Sequence, residues 1–220
     1  MAFGFERRVR PENKWKILIT TLIVLLPILV GCLLWDRLPD TIATHFGVDN
    51  EPNGFSSKAF TVFGLPGVMA ALHLFCLIAT SVDPKQKNIG RKALGIVFWI
   101  IPATSLIMCT MTYAIALGVQ VDVGFVVILF IGLLLIVLGN MMPKAKQNYS
   151  FGIKTPWALD DPENWSRSNR VGGFCMVIAG VVLVLTSFLK NLWILFPASI
   201  LGGVVPMVYS YVYYRRHKKQ

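Results

Sequence analysis

The sequence predicts an all-α fold, a polytopic membrane bundle of six transmembrane helices with both ends in the cytoplasm, and three observations predict it. Apolar residues make up 55% of the 220 positions and charged ones only 15%, with a mean hydropathy of +0.63, above the apolar share and below the charged share usual in water-soluble domains. The apolar residues are gathered into six long runs with no amphipathic period. Lys and Arg fall almost entirely on alternate connections between those runs, as expected when basic loops stay in the cytoplasm.

A span must satisfy every backbone amide internally, and a helix needs roughly 20 apolar residues to cross the hydrocarbon layer. Six segments meet that requirement: Ile17–Trp35, Ala59–Val82, Ala93–Leu117, Val123–Met142, Gly172–Leu189 and Leu192–Tyr214. The first follows a charged stretch and ends at Trp35-Asp36 without a small-residue cleavage site, so it reads as a retained span. The chain divides accordingly into a cytoplasmic N-terminus (1–16), a helical hairpin (17–82) with an outer loop (36–58), a third span with its flanking loops (83–122), a region of spans four to six (123–214) enclosing an inner loop (143–171), and a basic cytoplasmic tail (215–220). The ends of spans four and five merge with the inner loop, so re-entry there is an alternative to clean termination.

With the N-terminus inside, all but Arg37, Lys58 and Lys190 of the 21 Lys and Arg face the cytoplasm: Arg7, Arg8, Arg10, Lys14, Lys16, Lys85, Lys87, Arg91, Lys92, Lys144, Lys146, Lys154, Arg167, Arg170, Arg215, Arg216, Lys218 and Lys219. The net charge of +10 is then a matter of topology and anionic-lipid contact, and direct nucleic-acid binding is not predicted.

Small residues recur at helix-face spacing: Gly132 with Gly139, Gly173 with Gly180, Ala198 with Gly202, and Ser199 with Gly203. Such residues let backbones approach closely where no hydrophobic drive between helices exists. Pro27, Pro66, Pro102, Pro197 and Pro206 lie inside spans and predict kinks. Cys32, Cys76, Cys109 and Cys175 are scattered one to a run, which reads as packing and not as a disulfide frame or metal set.

The interiors of the runs contain no Asp, Glu, Lys or Arg, so an ion pathway lacks its usual groups. His73 is the one deeply placed imidazole and reads as an interhelical hydrogen-bond partner. No nucleophile–base pair, aspartate pair or HExxH motif is present, so no enzymatic activity, catalytic residue or cofactor is predicted.

Two polar loops carry specified-looking chemistry. The outer one, Leu38 to Lys58, combines Pro39, Gly47, Asn53-Gly54 and Phe46 with His45, Asp40, Asp49 and Glu51. Asn53-Gly54 signals a tight turn, Gly47 and Gly54 permit positive φ, and an ordered lid is expected. The histidine and acids match no defined metal spacing, and capping of helix ends is the simpler role, so no metal site is assigned. The inner loop contains Asn140, Pro143, Lys144, Asn148, Gly152, Lys154, Thr155, Pro156 and Trp157, continuing through Trp165 to Arg170. Trp157 and Trp165 are expected as interfacial anchors. Asp160-Asp161-Pro162-Glu163 resembles a helix start, and Pro162–Arg170 is read as a short amphipathic helix on the inner surface, serving either to pack under the bundle or to dock a partner.

These loops resemble the two signatures of the SdpI family of bacterial immunity proteins. Leu38-Pro39, Ile42, His45-Phe46 and the Gly54 to Ser57-Lys58 close resemble the DUF1648 pattern within 17–82. Gly139-Asn140, Met142-Pro143-Lys144, Asn148, Phe151-Gly152-Ile153, Thr155-Pro156-Trp157, Trp165, Arg170 and Gly173 resemble the SdpI signature within 123–214. Three positions depart from the family pattern: Lys154 for arginine, Gly47 for asparagine, and Ser168-Asn169 for Thr-His. Lys154 keeps the charge but loses the bidentate fork, and no histidine role applies at Asn169.

The resemblance implies a non-enzymatic, multi-pass protein of the bacterial cytoplasmic membrane that protects the cell from a secreted antimicrobial peptide toxin. It further implies a receptor role in which a small cytoplasmic transcriptional repressor is captured at the membrane. The toxin-contact candidates are then Leu38, Pro39, Asp40, His45, Phe46, Asp49, Glu51 and Gly54. The alternatives are a general envelope-stress role and a transporter or lipid-handling enzyme using His73, His45 and the Asn140–Trp157 region.

Overall fold

The computed structural model describes residues 11–217, so Arg7, Arg8, Arg10, Lys218 and Lys219, and with them much of the expected N-terminal and C-terminal charge, lie outside the described residues. Among the described residues, six helical segments are long and apolar enough to cross a membrane: Lys14–Leu33, Phe60–Ser81, Arg91–Ala116, Val123–Lys144, Pro162–Leu189 and Leu192–His217. Each overlaps one of the six predicted runs. The chain forms two compact units, one of residues up to Gly47 with Glu51–Val82 and Leu94–Val121, the other of Val48–Asn50, Asp83–Ala93 and Asp122 onward.

In the first unit, α1 (Pro11–Leu33) leads into a two-stranded antiparallel hairpin, β1 (Thr41–Phe46) and β2 (Pro52–Ser57), then α2 (Leu65–Ser81) and α3 (Arg91–Ala116). Pro27 sits inside α1, where it cannot donate to the backbone ladder. Hydroxyls from α3 serve carbonyls on either side of this interruption: Ser105 donates to Val24 O at 2.9 Å and Tyr113 to Pro27 O at 3.2 Å. Val24, Ala70 and Ile101 form a core between the three helices. Beside it, fully buried His73 and Thr20 bond at 2.9 Å through Nε2 and Oγ1.

Prolines in two spans are met by local rewinding. Wide π turns at Phe60–Gly64 and Ile200–Val204 stand just ahead of Pro66 and Pro206, which relieves the clash of each ring with the preceding turn.

The second unit is built on α4 (Val123–Met141) and α6 (Pro162–Thr186), with short α5 (Pro156–Asp160), then α7 (Leu195–Ser199) and α8 (Val205–His217). α4 and α6 run antiparallel with glycine facing glycine twice. A Cβ on Gly180 would stand 2.5 Å from Gly132 O, and one on Gly173 2.5 Å from Gly139 O. The expected close approach through these two pairs is therefore real. The other two pairs differ: Ala198 is buried with Ile128, Ala179 and Leu183, and Gly202 lies on the side of Met176, but Gly203 faces nothing within 4 Å and Ser199 is exposed.

Three expectations need correction. Pro162–Arg170 is no separate surface helix but the first turns of α6. Asp161 caps it by accepting Glu163 N–H at 2.8 Å, Pro162 starts it, and no breaker follows before the apolar run, so one helix propagates through both. Spans four and five show no re-entry: α4 ends in a 3₁₀ turn, Met142–Lys144, that contains Pro143. Asn53-Gly54 makes no turn and lies in β2; the hairpin reverses between Gly47 and Glu51, where Asn50 takes the positive φ of 68° and neither Gly47 nor Gly54 does.

Candidate functional site

The hairpin grows from a strand-forming stretch, Thr41-Ile42-Ala43-Thr44, whose β-branched residues suit a pleated surface. Thr41 pairs with Ser57, Ile42 with Ser56 and Ala43 with Phe55 before the register shifts at His45, which opposes Gly54. Glycine is required at that bulge, because a Cβ at Gly54 would stand 2.8 Å from His45 Cβ. On one face Ile42 is buried and Thr44 and Ser56 join hydroxyls at 2.9 Å. Ile42 and Leu38 enter a core with Val62, Cys109 and Tyr113, bordered by Leu34 and Trp35. The ordered lid expected from composition is thus a sheet fastened to helix ends by apolar burial.

Lys58 closes the base. Its ammonium donates to Trp35 O at 3.2 Å, pairs with the Asp40 carboxylate at 3.1 Å, and stands 5.3 Å from the Trp35 ring centroid. Its backbone N–H donates to Asp40 O at 2.8 Å. The predicted contact residues consequently separate. Leu38 is buried and Gly54 is a spacer, whereas Pro39, Asp40, His45, Asp49 and Glu51 are exposed and Phe46 is half-buried. His45 Nδ1 bonds Asn53 Oδ1, and Glu51 O accepts Gly47 N–H. The exposed apolar residues here, Val48 and Phe55 at 54% and 60%, were not among the predicted contacts. No group of three metal-ligating side chains is assembled among the described residues.

At the turn, Asn50 Oδ1 accepts Gly124 N–H at 2.8 Å while Asp122 Oδ1 accepts Phe125 N–H at 2.9 Å. Two first-turn donors of α4 are thereby satisfied. Lys190 Nζ lies 2.7 Å from the Asp122 carboxylate and, with the backbone bond, holds that carboxyl below its ordinary pKa.

The second predicted region, between α4 and α6, is a loop with very little slack. Asn148 is buried and folds the chain around itself: Oδ1 accepts Ser150 and Phe151 N–H at 2.9 and 2.7 Å, and Nδ2 donates to Lys146 O at 2.7 Å. Asn169 accepts Ile153 N–H and donates to Trp165 O, both at 2.9 Å. Gly152, at φ 122°, lies against them, and a Cβ there would stand 2.5 Å from Asn169 Oδ1. Trp165 is 2% exposed and donates to Ala145 O at 2.7 Å. It is an internal strut and not the interfacial anchor expected, because its indole N–H finds a protein acceptor in place of headgroup water.

Trp157 is half-buried against Tyr211 and Tyr214. Its Nε1 donates to Ser210 Oγ at 2.8 Å, and Thr155 Oγ1 lies 3.0 Å from the same hydroxyl. Ser210 in turn donates to Asn164 Oδ1 at 2.8 Å. Pro156 starts α5 after Thr155, and Pro143 lies against Gly173. Asn140, Lys144, Lys154 and Arg170 are exposed; Lys154 Nζ donates to Ser150 O at 3.4 Å.

Residues 144–210 match the SdpI/YfhL protein family, and residues 22–70 match DUF1648, a domain of unknown function. Immunity protein SdpI of Bacillus subtilis (strain 168) is 29% identical over 209 residues, which cover 91% of this chain and 97% of that protein. In both regions, and over nearly its whole length, the chain is similar to members of the SdpI/YfhL family. It is a multi-pass bacterial membrane protein. No solved structure matches it.

The two family matches fall on the two structured loops and their supporting helices. The 22–70 match spans the hairpin and the Lys58 closure, and the 144–210 match runs from Lys144 to the Ser210 hydroxyl that gathers Thr155, Trp157 and Asn164. The departure at Ser168-Asn169 has a local account, since Ser168 donates to Asn164 at 2.7 Å and Asn169 fastens Ile153.

Sequence reasoning missed Asp83, Gln147 and Ser210. Asp83 is 5% exposed and accepts from Lys85 N–H, Tyr149 N–H and the Ser150 hydroxyl. Gln147 receives Lys85 Nζ on its side-chain oxygen and Asn88 Nδ2 on its backbone oxygen, and donates to Ala158 and Leu159 carbonyls. The available signal was an acidic residue, Asp83, just after an apolar span, where only internal donors would justify burying it.

Proposed function

We propose that this protein is an integral membrane immunity protein that protects its cell from a secreted peptide toxin, by binding and without a chemical step. The observation that carries the reading is the likeness over 91% of the chain to a protein named for immunity. The hairpin supports a contact role: its inner face is committed to the core through Leu38 and Ile42, while His45, Val48 and Phe55 remain available. A rigid, half-apolar platform binds a peptide with less ordering cost than a floppy loop does.

In this reading the N- and C-termini lie in the cytoplasm, the hairpin faces outward, and the Asn140–Arg170 region faces inward, following the bias of Lys and Arg. The inward loop is the proposed surface for a small transcriptional repressor. Toxin would favour one of two arrangements of the protein, and the repressor would bind that arrangement better.

Expression of the chain in a toxin-sensitive bacterium is the test. Survival on the peptide should rise, and His45→Ala or Phe55→Ala should remove that protection at unchanged membrane abundance. Unaltered killing by the peptide, with the protein present in the membrane, rejects the immunity reading. Recruitment of the repressor is read separately, from its membrane fraction with and without toxin.

A further inference from the structure

A second feature lies away from the hairpin, beside the start of the signature loop. The first turn of α3 and the last turn of α4 border a cavity of about 260 Å³, with Asn88, Asn140, Lys144, Asn148 and Phe151 in its lining. Gly90, Arg91, Lys92 and Ala93 complete the α3 side. Three cations therefore surround it, and no Asp or Glu lines it.

The polar groups of the lining are unequally committed. Asn88 is bound to Gln147 O, and Asn148 accepts from Ser150 and Phe151 N–H and donates to Lys146 O. No described residue hydrogen-bonds or ion-pairs with the side chains of Arg91, Lys92, Lys144 or Asn140. At the α3 N-terminus the preceding residue is Gly90, which has no side chain to accept from the unsatisfied first-turn amides. Like charges gathered without a counter-ion are unfavourable, and an anion reverses the sign of that interaction. Guanidinium, ammonium groups, a side-chain amide and helix N–H groups together match the oxygens of a phosphate.

Placement adds the second half of the case. Arg91 begins one candidate membrane span and Lys144 ends another, so the cavity lies where hydrocarbon gives way to headgroups. Ile89, Met141 and Phe151 supply apolar lining beside the cations, as suits a glycerophosphate whose next atoms are acyl chain. Basic pockets between span ends are suited to anionic headgroups.

We propose that this cavity is a phosphate site, occupied in the membrane by the headgroup of an anionic phospholipid, with Arg91, Lys92, Lys144 and Asn140 as its ligands. The test uses the full chain in neutral detergent, titrated calorimetrically with dioctanoyl phosphatidylglycerol, dioctanoyl phosphatidylcholine and inorganic phosphate in separate runs. Saturable phosphatidylglycerol binding is expected, with phosphatidylcholine much weaker. The triple variant Arg91→Gln/Lys92→Gln/Lys144→Gln should weaken it by about tenfold or more, whereas Lys14→Gln/Lys16→Gln/Arg215→Gln, with equal loss of charge, should not. The single variant Lys144→Glu, at an exposed helix end, gives the same direction should the triple fold poorly. Saturation by inorganic phosphate at the same cations, with no gain from the lipid, supports the phosphate site with a free anion as its source. Absence of saturable binding by either, or equal binding in both triple variants, overturns it.

Discussion

Gly139 and Gly173 meet backbone to backbone: a Cβ on Gly173 would stand 2.5 Å from Gly139 O, and one on Gly139 2.7 Å from Gly173 O. With Gly132 and Gly180 one stretch further along, this contact sets how near α4 and α6 lie. Gly173→Ala is expected to destabilise by about 1–3 kcal/mol through forced separation of the helices. Gly203→Ala, with nothing within 4 Å, is the control and should change little. Thermal unfolding in one detergent checks both.

Asp83 gathers three donors from two separate stretches of chain. Asp83→Ala leaves the Tyr149 and Ser150 groups without their acceptor, an expected loss of about 2 kcal/mol or more. Limited trypsin digestion reads this directly, because Lys144, Lys146 and Lys154 flank the loop. Faster cleavage there, with the helices still intact, is the expected pattern.

The Asp122–Lys190 pair predicts an acid dependence. Asp122 has a folded-state pKa below its unfolded value, so its contribution is complete above the ordinary carboxylate range, about pH 4. It is lost as pH falls through the lowered folded value. The unfolding midpoint of the native chain should therefore drop more steeply below about pH 4 than that of Asp122→Asn. Parallel curves for the two would refute the assignment.

Inside the first unit, Thr20→Val removes the partner of His73 Nε2, whose other ring nitrogen already lacks a protein partner. A loss of about 1–3 kcal/mol is expected from the orphaned polar atom. Thr20→Ser, which keeps the hydroxyl, should recover most of it.

Lys58→Met keeps most of the apolar stem but removes the ammonium's bonds to Trp35 O and the Asp40 carboxylate. Loosening of the hairpin base should raise amide exchange in Thr41–Ser57 while leaving α2 and α3 protected, and hydrogen exchange resolves the two.

The six spans, the glycine face of α4 and α6 and the Asp161 helix start were legible because each rests on local chemistry: apolar length, absence of a side chain, a capping carboxylate. The hairpin turn was misplaced because Asn53-Gly54 carries a turn signal that the strand pairing overrides. Gly54 answers instead to crowding by His45, and Asn50 supplies the left-handed residue. Trp165 was misread for a similar reason: indole composition suggests an interface, and only the proximity of Ala145 O makes it internal.

The sequence by itself determined the membrane as solvent, the number of crossings and the two loops that carry family character, since these follow from hydropathy, charge placement and short motifs. Tertiary structure decided which motif residues are exposed and which are scaffold. Asn148, Trp165 and Asn169 are consumed by backbone groups nearby, whereas Arg91, Lys92 and Lys144, ordinary loop cations in the sequence, converge on one cavity. Burial and hydrogen-bond partnership depend on residues distant in the chain, and no local pattern encodes them.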